Sequence, residues 1–268
     1  MDKEFLNPAE IALNWVNIGK NKANLNKSKM LLMGILAGVF IGFGSHAFLV
    51  MIQTLGNFDV GLAKFMGASV FPVGLILIVV AGAELFTGNN LMTISVLAKE
   101  EKFSKVLKNW FFVYTGNIIG SVLLAYLLSK SGLYAGDAGV KALAVAESKV
   151  SLTLTEALIR GIMCNILVVL AVWMQAGTQN TVGKILILWC PIMLFVLSGF
   201  EHSIANMYFI YLGKFLGASF SWADMWIYNL IPVTIGNMIG GAVIVPFGYW
   251  YVYLKDKKDK KDKSDFAA

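Results

Sequence analysis

Charge is what this sequence has least of. Only 14% of its 268 residues are Asp, Glu, Lys or Arg, and 57% are hydrophobic; soluble domains carry about 25% charged residues. That balance excludes a soluble or disordered chain, and a mean hydropathy of +0.70 indicates an integral membrane protein. Cysteine and histidine are scarce, two of each. Cys164 and Cys190 sit in apolar segments and read as small buried hydrophobes, and two distant histidines offer no metal-ligand spacing. No metal and no cofactor is therefore expected. Paired His/Asp, Ser/His or Ser/Lys at helical spacing are also missing, as is a soluble catalytic domain, so an enzyme is not expected. The first 28 residues are polar and charged, with no short apolar stretch leading to a small-residue cleavage site, so no signal peptide is expected.

What the chain does have is apolar length. Six stretches, about 30–53, 69–97, 110–129, 154–175, 185–212 and 230–254, approach or exceed the roughly 20 residues that span a bilayer core. The net charge of +6 follows the membrane rather than a nucleic acid. Sixteen lysines crowd into residues 3–29, 99–108, position 184 and 255–263; the intervening loops hold five, Lys64, Lys130, Lys141, Lys149 and Lys214. By the positive-inside rule both termini are cytoplasmic, in agreement with an even number of spans. Residues 1–29 are expected to form a cytoplasmic N-terminal region whose helix starts at Asn7-Pro8 and lays Ile11, Trp15 and Ile18 on the membrane surface. Residues 30–254 form the membrane domain, and the Lys/Asp-rich tail 255–268 is expected to be disordered and to meet anionic lipid.

Two intramembrane stretches repeat each other. "AGAELFTGNN" (81–90) and "SGFEHSIAN" (198–206) share a small residue, Gly, a variable residue, Glu, four further residues and Asn. "GNIIG" (116–120) and "GNMIG" (236–240) follow in the same order, 34 and 37 residues after the glycine of the first motif. Each copy contains three spans, and an odd number inverts the second copy in the membrane, as in channels and transporters. Spans two and five are too long for one straight helix and offer breaks at Pro72 or Gly74 and at Ser198-Gly199; broken backbone at membrane depth marks a cavity lining. The expected fold is thus an all-α membrane protein of six helices in two inverted three-helix repeats, with helices 2 and 5 interrupted.

"AGAELFTGNN", "GFEHSIANMYFI", "NILVVLAVWM" and "NLIPVTIGNMIGG" resemble the conserved blocks of the formate/nitrite transporter family, and the chain reads most like its hydrosulfide-channel branch. The resemblance covers about residues 7–254. It implies an aquaporin-like protomer, a homopentamer in the cell (cytoplasmic) membrane, and a pore in each protomer. By position it gives His202 the middle of the pore, with Thr87 opposite, Asn165 and Glu201 as neighbours in a polar network, and Asn237 facing it. It gives Leu75, Phe86 and Val168 a cytoplasmic constriction, Phe71 and Phe195 a periplasmic one, and Lys149 the outer vestibule. The segment "GASVFPVG" (67–74) departs from the more polar version in formate members.

The resulting expectation is a passive or proton-linked pore for small monovalent anions, hydrosulfide first, formate or nitrite as alternatives. A water or glycerol-like pore is the different-class alternative, opposed by the single "NPA" at 7–9, outside the membrane. Lys149 would gather the anion, apolar rings would strip its water, and Thr87, Asn237 and His202 would replace those hydrogen bonds, with His202 able to pass a proton to the ion. Glu84 and Glu201 are expected to face protein and accept bonds from backbone N–H groups at the breaks, Glu201 with a further possible influence on His202. His46 reads as structural.

Overall fold

The structure, a computed structural model, describes residues 4–255; the expected tail from 256 onward lies outside them. An amphipathic helix α1 (Pro8–Ala23) opens the chain, its first turn closed by a reciprocal pair in which Asn7 accepts from the Glu10 N–H and Glu10 accepts from the Asn7 N–H. α2 (Lys27–Ile52) is the first span. The second begins earlier than its hydropathy implied, at α3 (Val60–Val70). It bends at Phe71-Pro72, continues as α4 (Val73–Leu77), and ends in a π-type turn, Ile78–Gly82. After a gap the chain resumes helix at α5 (Phe86–Asn89) and α6 (Thr93–Leu97). α7 (Phe103–Ser129) closes the first half.

The second half follows the same plan. α8 (Asp137–Val150) is a second non-spanning helix, and it carries Lys141 and Lys149, which the sequence reading placed in a loop. α9 (Leu154–Gln175) spans the membrane. α10 (Thr181–Leu197) stops at a gap, and α11 (Ser203–Phe215) completes the broken fifth span. The last span runs from α12 (Trp222–Asp224) through α13 (Ile231–Met238) to α14 (Val245–Tyr253), joined by two π-type turns.

A close glycine contact welds each half. Gly38 of α2 meets the Asn117 carbonyl of α7, and Gly236 of α13 meets the Leu158 carbonyl of α9, so close that a Cβ would collide with backbone. Small residues allow helix axes to approach this closely in a bilayer, where burial of apolar surface no longer drives association. The face of α1 expected on the membrane surface is instead part of the core. Ile11 and Trp15 are each 3% exposed, because α1 packs across α6, α7, α9 and α14. The backbone of Leu6 also bonds the Gly177 carbonyl at 2.7 Å, which ties the N-terminal segment to the turn after α9.

Candidate functional site

Spans two and five both break at the glycine of the repeated motif, the fifth where the sequence placed it. The first break, however, is at Gly82 and not at Pro72 or Gly74, which only bend the helix. Gly82 has φ +91° and its repeat partner Gly199 φ +72°, a left-handed conformation that glycine adopts without strain. Past each glycine the chain runs extended, and one asparagine pins it. Asn117 accepts from the Phe86 N–H (2.9 Å) and donates to the Gly34 and Glu84 carbonyls (2.8 and 3.0 Å). Asn237 accepts from the Ser203 N–H (2.9 Å) and donates to the Gly161 and Glu201 carbonyls (2.8 and 2.9 Å). An amide supplies one acceptor and two donors on one planar group, which is why asparagine occupies both "GN" positions.

The two intramembrane carboxylates are held in matching clusters. Glu84 pairs with Lys22 at 2.5 Å and accepts from Asn89 at 2.6 Å; Asn89 also donates to Asn109, which donates to the Lys22 carbonyl. Glu201 pairs with Lys149 at 2.8 Å and accepts from Asn206 at 2.6 Å; Asn206 donates to Asn229, which donates to the Lys149 carbonyl. The carboxylates therefore take Lys and Asn side-chain donors, not the backbone N–H groups expected of them. The repeat extends back to α1 and α8, whose lysines are equivalent. Lys22, Asn109 and Asn229 were missed in the sequence because the repeat was sought only within the spans.

Two vestibules enter the protein from opposite ends. The α1-side vestibule, about 300 Å³, reaches Glu84, Lys22 and Lys184; the α8-side vestibule, about 180 Å³, reaches Lys149 and His202. Between them lies a neck of about 10 Å³ lined by Ile41, Phe71, Leu75, Leu85, Val168, Ile192, Phe195 and His202, room for about one water. Leu75 and Leu85 border it toward the α1 side; Phe71 and Phe195 border it toward the α8 side with ring centroids 5.6 Å apart.

Three sequence-based assignments change. Phe86 lines none of these cavities; it packs against Trp110 and Tyr114 of α7. Its neighbour Leu85, the repeat counterpart of His202, lines the neck in its place. Asn237 spends its amide on backbone and does not line the neck, while Asn165 donates to the Thr87 and Asn237 carbonyls and to Asn90. Lys149 is not a bare cation at the mouth, since Glu201 balances it. His202 and Thr87 do meet there, Thr87 Oγ1 lying 2.8 Å from His202 Nε2. His202 Nδ1 accepts the Ala205 N–H at 3.2 Å, capping α11. With Nδ1 an acceptor, the neutral ring carries its proton on Nε2 and presents it as a donor toward Thr87.

The profile of the formate/nitrite transporter family matches residues 9–251. This chain belongs to that family. A probable formate transporter of Methanothermobacter thermautotrophicus is 39% identical to it over 96% of this chain and 100% of its own length. Formate channel FocA of Escherichia coli strain K12 is 36% identical over 94% and 96%. Among solved structures, a pentameric formate channel with formate bound superposes with TM-score 0.75 at 34% identity, covering 85% of this chain and 98% of that one. An FNT family ion channel superposes with TM-score 0.79 at 31% identity over 91% and 97%. The formate/nitrite transporter fold thus accounts for the helical membrane architecture, and these relatives are channels or transporters, not enzymes. The chain is a multi-pass membrane protein with five helices long and apolar enough to cross a bilayer, together with the shorter apolar helix Thr181–Leu197, among the described residues.

Proposed function

We propose that this protein is a formate channel, one pore per protomer in a homopentamer. The neck carries the reading: two vestibules that hold lysines meet at an apolar constriction with room for about one water, where the only polar side chain of the lining is His202. A small monovalent anion must shed its hydration to cross, which is costly without replacement donors. His202 Nε2–H, paired with Thr87 in the empty neck, can turn to supply a hydrogen bond to the ion there, and the N-terminus of α11 begins at the same point, adding partial positive charge. The relatives' names favour formate over hydrosulfide, which the sequence motifs had put first; hydrosulfide remains small and monovalent enough to share the path. Because Nδ1 is engaged by Ala205, His202 acts as a neutral donor and not as a proton relay: an imidazolium would set Nδ1–H against that N–H.

The orientation proposed is α1 side cytoplasmic. Lys20 meets Glu100 and Asn24 meets Glu101, so the lysine-bearing segments 20–29 and 99–108 gather on one side, as the positive-inside rule requires. The test is uptake of radiolabelled formate, hydrosulfide and chloride into proteoliposomes. Saturable formate uptake well above empty liposomes supports the reading. Uptake of water or glycerol without formate would overturn it in favour of a neutral-solute pore.

A further inference from the structure

We infer that His46, Tyr134 and Tyr208 form a proton-sensitive clasp that holds α8 against α2 and α11, and that acid releases it and loosens the wall of the α8-side vestibule, whichever anion crosses. His46 lies on α2, Tyr208 on α11, and Tyr134 in the connection between α7 and α8. Tyr134 Oη is 2.9 Å from His46 Nδ1 and 3.0 Å from Tyr208 Oη. Both tyrosines are buried, Tyr208 completely, while His46 is only half-buried. Neither hydroxyl has another hydrogen-bond partner among the described residues. The clasped elements are also the wall of the vestibule. Phe48 of α2, Val145, Ser148 and Lys149 of α8, and Phe209 of α11, next to Tyr208, all line it.

Only one polarity of this chain leaves no hydroxyl stranded. Tyr208 donates to Tyr134, Tyr134 donates to His46 Nδ1, and the neutral ring keeps its proton on Nε2. A proton added to Nδ1 reverses both bonds. Nδ1–H then donates to Tyr134, Tyr134 donates to Tyr208, and the buried Tyr208 O–H is left without an acceptor. A stranded buried donor is costly, so protonation and the clasp exclude each other and acid favours release. Imidazole is the side chain whose unperturbed charge changes between about pH 5 and 8. The surroundings offer a charged ring no counter-ion. α7, α3 and α4 meet this part of α2 with Leu124, Gly67 and Gly74. Lys64 of α3 is exposed, Lys130 at the end of α7 lies over Tyr126, and Lys214 of α11 is held by the Ala218 and Phe220 carbonyls. Lys141 of α8 approaches the turn after α2 at Gly56. The acids of α8, Asp137 and Glu147, make no ion pair with His46, nor does any other carboxylate among the described residues.

The test follows backbone opening, not transport. Hydrogen–deuterium exchange of the pentamer in nanodiscs is measured at about pH 7.5 and about pH 5, the ends of the histidine range, with each rate corrected for the intrinsic effect of pH. Peptides from 131–150 are expected to lose protection at least about fivefold in acid, the change that about 1 kcal/mol produces, while peptides from α9 keep theirs. H46N places an amide oxygen near the position of Nδ1 and cannot titrate; it is expected to keep 131–150 protected at both pH values. Y134F removes the central hydroxyl and is expected to expose 131–150 at both. Equal protection at the two pH values in the unmodified protein overturns the clasp. So does H46N losing protection in acid as the unmodified protein does, because another group is then responsible. Full protection of 131–150 in Y134F at about pH 7.5, with α9 exchange unchanged, overturns it as well. Formate uptake decides the channel reading separately. Its absence beside the expected exchange pattern refutes the channel alone, and its presence beside pH-independent exchange refutes the clasp alone.

Discussion

Replacing Lys149 with Gln separates scaffold from steering. Lys149 and Glu201 are 2.8 Å apart with side chains 18% and 4% exposed. Their attraction is about 6 kcal/mol at an effective dielectric of about 20, and desolvating two ions offsets several kcal/mol of it. The intact pair is thus worth little net, but a lone survivor is costly. In K149Q, Glu201 stays buried with Asn206 as its remaining strong donor, and the loss should be about 3 kcal/mol, the low end for breaking a buried pair. E201Q should cost less, because the Lys149 ammonium can extend toward water in the vestibule. The double variant K149Q/E201Q should return to within about 1 kcal/mol of the unmodified protein, since two amides can bond each other without a stranded charge. The assay is SDS-induced unfolding in mixed micelles followed by circular dichroism, alongside formate uptake. If Lys149 acted only by long-range attraction, K149Q would unfold normally and its uptake deficit would vanish near 1 M salt, where the Debye length is about 3 Å. A stability loss under 1 kcal/mol, or a double variant as damaged as the two singles combined, would refute the scaffold argument.

His202→Asn should keep formate uptake within about tenfold and leave its pH dependence intact, because Asn replaces the N–H donor; loss of pH dependence, with chloride flux unaffected, would reinstate proton relay. His202→Leu, which copies Leu85 into the second half, should make the neck wholly apolar and abolish formate uptake in a pentamer that elutes normally on gel filtration; retained uptake would remove His202 from the mechanism. Phe195→Ile should raise flux or admit larger carboxylates such as acetate, and an unchanged size cutoff would place the narrow point elsewhere. Gly82→Ala meets no atom within 4 Å, so its cost is purely the backbone at φ +91°, about 1–2 kcal/mol in the same unfolding assay; a neutral result would show that the break relaxes.

The sequence by itself determined the membrane class, the number of apolar segments, the two-copy architecture and the break in the second copy. Each rests on local or periodic signals: hydropathy over about 20 residues, a repeated Gly-x-Glu…Asn pattern, and a residue pair that only a turn accommodates. α9 was legible at its observed bounds, Leu154–Gln175. Pro72 and Gly74 misled because proline inside a helix can bend it without ending it, and Gly82, the true break, was read as a motif residue and not as a backbone position. Only the tertiary structure decided which polar residues face the path. Asn165, Asn237, Glu84 and Glu201 look alike in sequence to His202, all being polar groups in apolar helices. Backbone freed at the breaks must be satisfied internally in a membrane, and that demand absorbs the two asparagines, while Lys22 and Lys149 absorb the carboxylates. Phe86 and Leu85 are adjacent, and which of them points to the neck depends on the φ and ψ of the residues after Gly82, set by Asn117 from 31 residues away. The partnering of Glu84 by Lys22 spans 62 residues; no local pattern carries it, because it exists only once α1 folds back across the α1-side vestibule.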